Sequence, residues 1–207
     1  MGGIINLLKG VNILVPRNMT KAAGFYNHLL MKDEPALVIE CLNGYRLKEV
    51  LPDNLGDFYT EIGVVETIRK GRDITLVTYG SCCRIATQAA EELEKFNILI
   101  EIIDVQSLIP FDINNDILKS IEYTNRIVFL DEDVSGGATA FMMQQVLEKQ
   151  NGYSYLDSNP KTITSKDHRA AYGDDGDYFS KSNIDNVIDT CYEIMHEANP
   201  AIFPKIF

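Results

Sequence analysis

Few side chains in this chain have the types and spacing that chemistry needs. The sequence holds 3 histidines and 4 cysteines in 207 residues. His28 lies at the edge of an apolar helical stripe, and His196 near the end of the last expected helix, where a cation complements the helix dipole; both read as structural. His168 differs, because Asp167-His168-Arg169 follows the last expected strand, the end at which open α/β sheets bind ligands. With Lys166, His168 and Arg169 make a basic cluster suited to an anionic group or a neighbouring subunit, and a plain surface loop is the competing reading. Cys41, Cys82, Cys83 and Cys191 lack metal-binding spacing, since adjacent residues on a helix point about 100° apart. They read as reduced thiols. The helix start that Cys82 and Cys83 occupy can nevertheless lower a thiol pKa. Gly173-Asp174-Asp175-Gly176-Asp177 reads as a polar loop.

The elements around these residues form a regular series. From Asp73 to Glu148 the chain alternates strand and helix, the pattern of parallel βαβ units. Ile74 to Tyr79 opens it as a strand, and Gly80-Ser81 caps a helix whose Ile85, Ala86, Ala89, Ala90 and Leu93 follow helical spacing. Ile98 to Val105 is β-rich, Pro110 and Asp112 open a helix carrying Ile117, Leu118 and Ile121, and Arg126 to Leu130 returns as a strand before Gly136-Gly137 lead into another helix. Upstream, Asn18 is an N-cap for a helix whose Ala22, Phe25, Tyr26, Leu29 and Leu30 make one apolar face, and Pro35 to Ile39 is the next strand. A strand-helix-strand piece of that size buries no core of its own, so it must lean on the rest of the chain or on another chain. Leu47 to Lys70 has turn residues and no sustained period, which reads as an ordered linker with Val64-Val65 packing on the domain that follows. Asn183 to Ala198 is a final helix with Ile184, Val187, Ile188, Cys191, Ile194 and Met195 facing a sheet.

Composition is ordinary for a globular protein: 45% hydrophobic and 24% charged residues. A net charge of −11 excludes general nucleic-acid binding through a basic face and permits a basic partner. No apolar run is long enough to span a membrane and none resembles a signal peptide, so a cytoplasmic location is the expectation. No internal repeat or low-complexity segment appears.

The wording of several segments resembles a family. Asp104-Val105-Gln106-Ser107-Leu108-Ile109-Pro110-Phe111-Asp112 resembles the Asp-Leu-Arg-Thr-Leu-x-Pro-x-Asp signature in the β portion of the first component of thiamine-diphosphate-dependent 2-oxoacid dehydrogenases. Thr78-Tyr79-Gly80, Thr124 to Glu132 and Gly136-Gly137 are similar too, and Gly10 to Arg17 resembles the family's Gly-Leu-Lys-Val-Val-x-Pro strand. Gln106 stands where the family has Arg, so an ion pair made there is lost. The resemblance implies residues 1–48 as the C-terminal βαβ piece of a pyrimidine-binding domain, 49–72 as a linker and 73–207 as a transketolase C-terminal-like domain. The fold implied is a mostly parallel, twisted α/β sheet flanked by helices.

The same resemblance implies a part of an enzyme that decarboxylates a 2-oxoacid, of pyruvate or branched-chain type, and passes the acyl group to a lipoyl carrier. Thiamine diphosphate and Mg belong to the complete enzyme and none is expected on this chain alone. The family's catalytic glutamate and histidine fall upstream, and Gly173 to Asp177 lacks the Gly-Asp-Gly form of the metal motif. The chain alone is therefore expected to be inactive, a scaffold, subunit-interface and docking module without catalytic, cofactor or metal ligands. Implied partners are the α part and the start of the β part of the same enzyme, a second copy in a homodimer, and the lipoyl acyltransferase core. Asp157, in Tyr155-Leu156-Asp157, matches the acid that docks a basic domain of that core; solvation or helix capping is the competing reading. The family's C-terminal carboxylate contact is put in doubt by a tail, Ala198 to Phe207, that runs past the usual end. Asn18 to Met31 and Gly136 to Leu147 are the expected subunit contacts, the latter because Ala138 and Ala140 permit close approach and Met142-Met143 add adaptable apolar surface. Lys32 stands at the position of an Asp that ligates potassium in several relatives, and an ammonium there would replace the ion. A transketolase or deoxyxylulose-phosphate synthase type transferase shares this C-terminal fold, and a non-enzymatic interaction module is the remaining alternative.

Overall fold

The computed structural model describes residues 1–169, 172–173 and 175–205. It opens with helix α1 (Gly2–Leu7), strand β1 (Asn12–Leu14), helix α2 (Met19–Leu30) and strand β2 (Ala36–Val38). β1 and β2 run parallel, Ile13 opposite Leu37. Asn18 caps α2, its Oδ1 accepting the Lys21 N–H at 2.9 Å. The buried face of α2 is narrower than its apolar spacing suggests: Ala22 and Phe25 are fully buried, whereas Leu30 is 86% exposed. Gly24 and His28 complete that face instead. A Cβ on Gly24 would stand 2.2 Å from Thr60 Oγ1, so only glycine lets the 58–60 segment lie against the helix. His28 stacks on Tyr59 and its Nδ1 lies 3.0 Å from the Thr60 carbonyl. It is a packing residue.

The 49–72 stretch, expected as a linker, carries strand β3 (Glu66–Arg69). There follow β4 (Ile74–Thr78), α3 (Cys82–Glu94), β5 (Ile100–Asp104), β6 (Ser107–Ile109), α4 (Asp116–Thr124), β7 (Ile127–Val134), α5 (Ala138–Met143), β8 (Lys161–Ser165), α6 (Gly176–Ser180) and α7 (Ile184–Ala198). Five strands make the main sheet in the order β3-β5-β4-β7-β8. The last four are mutually parallel and β3 is an antiparallel edge. Every residue of β4 and β5 is buried, as continuous apolar runs covered on both faces require.

The two faces sort with period two. Ile74, Leu76, Ile100 and Ile102 pack under α3 and α7, with Ala86, Ala89, Ala90, Leu93, Val187, Cys191 and Ile194. Val77, Ile103 and Phe129 pack under α4 and α5, with Ile117, Ile121, Ala138 and Met142. Ile5, Ile13, Val15 and Val65 join this second cluster, so the first forty residues lean on the main body, and Val65 packs there as anticipated. Ala138 and Met142 are core residues rather than contact surface, because α5 uses that face against β7 and α1.

A second, three-stranded sheet runs β2-β1-β6. β6 pairs antiparallel with β1, Ile13 opposite Ile109, and so joins the N-terminal strands to the body. Asn183 opens α7 through a capping box: its Oδ1 accepts the Asn186 N–H at 3.0 Å and its own N–H donates to Asn186 Oδ1 at 3.2 Å. Beyond α7 the tail turns back. The Tyr192 hydroxyl donates to the Pro204 carbonyl at 2.9 Å, and His196 Nδ1 lies 2.7 Å from the Phe203 carbonyl, which makes His196 a holder of the tail.

Candidate functional site

β4 is where the direction of sheet building reverses, with β5 laid on one side of it and β7 on the other. Ligands in open α/β sheets bind beyond the carboxyl ends of strands at such a reversal. Here that end carries Tyr79-Gly80-Ser81 after β4 and Asp131-Glu132-Asp133 in β7. Gly80 takes φ 57°, turning the chain directly into α3. A crevice of about 490 Å³ opens at this point, with Glu40, Cys41, Lys181 and the three acidic residues of β7 in its wall.

Asp131 forms the deepest part of that wall, at 1% exposure. The Tyr79 hydroxyl donates to its Oδ1 at 2.6 Å, while Oδ2 is buried with no hydrogen-bond partner. Burial pushes the Asp131 carboxyl above its ordinary range, against the opposing pull of the Tyr79 hydroxyl and of the backbone N–H groups of Asp133 and Glu132. Glu132 is exposed and accepts the Ser81 hydroxyl at 3.3 Å. Ser81 thus stands at the N-cap position of α3 without making the expected cap hydrogen bond. Asp133 accepts the Met1 ammonium at 2.5 Å and the Gly2 N–H at 3.0 Å. Partial burial would raise the Asp133 carboxyl, but these donors hold it below its usual value. The hydroxyls of Tyr26 and Tyr45 do the same for half-buried Glu40.

None of the cysteines is activated. Burial pushes the Cys82 and Cys83 thiols up, and nearby carboxylates push the same way, so their place at a helix start is outweighed. Burial likewise lifts Cys41 to about 11 and Cys191 to about 12.

A second charged cluster, not anticipated from the sequence, lies at the end of β5. Arg17 Nη1 donates to fully buried Asp104 at 2.8 Å and to Glu66 at 2.7 Å, and Lys21 Nζ reaches the same Glu66 oxygen at 2.7 Å. The cluster ties the start of α2 to β3 and β5, a structural task. Burial raises the Asp104 carboxyl even though Arg17 opposes it. Next to it, Gln106 sits at φ 58° and its Nε2 donates to the Val64 carbonyl at 3.2 Å, a neutral contact where the family signature has Arg.

Asp157 lies before β8 and the basic trio after it, so the structure places them at opposite ends of that strand. Asp157 pairs with Arg126 at 2.6 Å beside a surface cavity of about 390 Å³. Lys166 Nζ lies 3.3 Å over the Phe179 ring, and His168 faces the same ring at 6.0 Å. Arg169 instead lies over Tyr172 at 5.2 Å. In the Gly173–Asp177 loop, Asp174 falls outside the described residues, and Asp177 lies 3.7 Å from Lys181. Lys32 is exposed. Among the described residues no group of three His, Cys, Asp or Glu side chains is arranged for a metal ion, and no helix is long and apolar enough to cross a membrane.

The family model for the transketolase C-terminal domain matches residues 63–179. The 2-oxoisovalerate dehydrogenase subunit beta of Bacillus subtilis is 32% identical over 130 residues, covering 62% of this chain and 39% of the relative. The pyruvate dehydrogenase E1 component subunit beta of Staphylococcus epidermidis is 30% identical over 131 residues, again covering 39% of the relative and 63% of this chain. The match therefore spans well under half of either relative. A solved chain described as a split gene transketolase, inactive beta4 tetramer, superposes with a TM-score of 0.71 at 19% identity, over 94% of this chain and 60% of that one. That likeness is one of fold. With more than half of its length matched by the family model, the chain belongs to the transketolase C-terminal domain family.

Proposed function

We propose that this chain is part of the β portion of a 2-oxoacid dehydrogenase first component, the enzyme that oxidatively decarboxylates a 2-oxoacid and transfers the acyl group to a lipoyl carrier. The observation that carries the reading is identity of 30–32% over about 130 residues to β subunits of two such enzymes, one named for pyruvate and one for 2-oxoisovalerate. Thiamine diphosphate with Mg, bound in the complete enzyme, supplies the electron sink for decarboxylation. The residues of this chain do other things. β6 and the Arg17, Glu66 and Asp104 cluster lock the N-terminal strands onto the main sheet, and the outer side of α2, with Tyr26, Leu30 and Met31, offers apolar surface to a neighbouring subunit. Residues 1–48 serve as the end of a pyrimidine-binding domain and 73–207 as the C-terminal domain. Asp157 remains the docking residue for a basic domain of the acyltransferase core, which has to compete with Arg126 for the carboxylate.

The test is reconstitution. The chain is combined with an α subunit and the upstream β region, and decarboxylation of pyruvate and of 3-methyl-2-oxobutanoate is followed with an artificial electron acceptor, with and without thiamine diphosphate and Mg. Cofactor-dependent turnover that disappears when this chain is omitted is the expected result. An assembled, cofactor-loaded complex that decarboxylates neither acid, or that turns over ketose phosphates instead, overturns it.

A further inference from the structure

We propose that the groove along the outer side of α7 docks a basic amphipathic helix of a partner protein. The apolar side chains of that helix meet Phe96, Ile188 and Tyr192, and its lysines or arginines meet Asp189, Glu193 and Glu197. The groove holds about 680 Å³, and these six residues stand in its wall. The opposite side of α7, with Val187, Cys191 and Ile194, packs on the main sheet. Nothing in the assembly role above uses the outer side.

The apolar part is in place before any partner arrives. Phe96 and Tyr192 meet edge to face at 5.6 Å, and Tyr192 meets Phe203 of the folded-back tail in the same way at 6.3 Å. The Tyr192 hydroxyl and the His196 ring are fixed on carbonyls of that tail. Phe96 nevertheless stays 45% exposed. A partner that covers rings already held in position has little ordering to offset.

The charge of the partner follows from the helix. Asp189, Glu193 and Glu197 follow one another at four-residue steps and so share one face, where like charges repel. Among the described residues Asp189 and Glu197 make no ion pair, and Glu193 lies 3.7 Å from Lys161. Glu197 moreover stands in the last turn of α7, where the helix dipole favours a cation. Lys205 is the one lysine or arginine in the wall, against three carboxylates. A cationic partner relieves these mismatches, whereas a second copy of α7 would add to them. The three acids span about 12 Å at 1.5 Å per residue, and a partner helix repeats its side chains with the same rise. Lysines at its own four-residue steps therefore meet all three in register, with its apolar side in the groove.

The probe is a fluorescein-labelled peptide of leucine and lysine, about five turns long and patterned as an amphipathic helix, with a leucine and glutamate peptide of the same pattern as comparison. Fluorescence anisotropy with the purified chain should show saturable binding of the lysine peptide alone. Asp189→Lys combined with Glu193→Lys, and separately Phe96→Ser, should each weaken it about tenfold or more. Asp33→Lys combined with Asp53→Lys makes the same change of charge elsewhere on the surface and should leave the affinity within about twofold, since screening confines each charge to its surroundings. All five residues are exposed, so the variants keep the far-ultraviolet circular dichroism of the parent. Glu197 also lines the cavity beside Asp157, and Asp157→Asn tells the two places apart. No saturable binding below about 1 mM, equal weakening by the two charge-reversal pairs, or binding that only Asp157→Asn removes overturns the proposal.

Discussion

Arg17 and Arg126 each hold an aspartate by a short ion pair, 2.8 Å to Asp104 and 2.6 Å to Asp157, but their surroundings make the pairs unequal. The Asp104 side chain has no exposure, while that of Asp157 is 47% exposed. Removing the cation from a buried pair strands a desolvated charge, so Arg17→Ala is expected to cost about 3–5 kcal/mol in urea unfolding at neutral pH. The loss shrinks in acid, where the stranded carboxyl protonates. Asp157→Asn, at an exposed pair, is expected to cost about 1 kcal/mol or less by the same measurement. Asp131 gives a pH signature of opposite sign to that of a salt-bridged acid. Its folded pKa is raised, so the folded state holds the proton longer than the unfolded chain. Stability from this group is full below the ordinary carboxyl value of 3.8 and falls as pH rises through the raised one. Asp131→Asn keeps the shape without the titration. The urea midpoint of the variant should therefore gain on the parent from acid to neutral pH; a constant difference would remove Asp131 as the cause.

At the scale of elements, close backbone approach and capping make the sharpest demands. A Cβ on Gly71 would lie 2.1 Å from the Ile100 carbonyl carbon and 2.2 Å from the Glu101 nitrogen, atoms that cannot give way without moving β5. Gly71→Ala should cost about 1–3 kcal/mol and loosen β3, visible as faster amide exchange at the sheet edge. Asn183→Ala, which removes one half of the capping box of α7, should cost about 1 kcal/mol in thermal or urea unfolding. Elements whose signal is local were legible in the sequence: the cap of α2, the apolar stripes of α3 and α7, the buried runs of β4 and β5. Elements whose reason lies elsewhere were not. β3 carries Glu66 and Arg69 in a four-residue, half-buried edge strand, too short and too polar to stand out from a turn-rich stretch. Leu30 belongs by spacing to the buried face of α2, yet that face is set by Thr60 and Tyr59 packing on Gly24 and His28. The polar groups that meet at the crevice, Tyr79 with Asp131 and Glu132 with Ser81, do so only because β4 and β7 are neighbours across two intervening strands and two helices. No spacing along the chain reports that.

For the whole molecule, the uneven distribution of apolar surface decides behaviour. Leu30, Met31, Leu42 and Val50 stand out on α2 and the segment after β2, Val50 at 95% exposure. Leu30→Lys should leave the unfolding midpoint of the isolated chain within about 0.5 kcal/mol of the parent, since nothing there is buried. If the proposed assembly is right, the same change should weaken association with the α subunit and upstream β region, read by analytical ultracentrifugation. An unchanged association would place the subunit contact elsewhere. The pairing of β1 with β6, Ile13 beside Ile109, has a consequence in time as well as in space. During synthesis the first strand leaves the ribosome long before its partner has been made, and chains are built from the N-terminus at a finite rate. Of the two neighbours of β1 among the described residues, β2 is made first, and a pair of three-residue parallel strands has little stability of its own. β1 therefore docks on the main body only after β6 has been made. A ribosome stalled before β6 should leave β1 open to protease, and one stalled after the main sheet is complete should not.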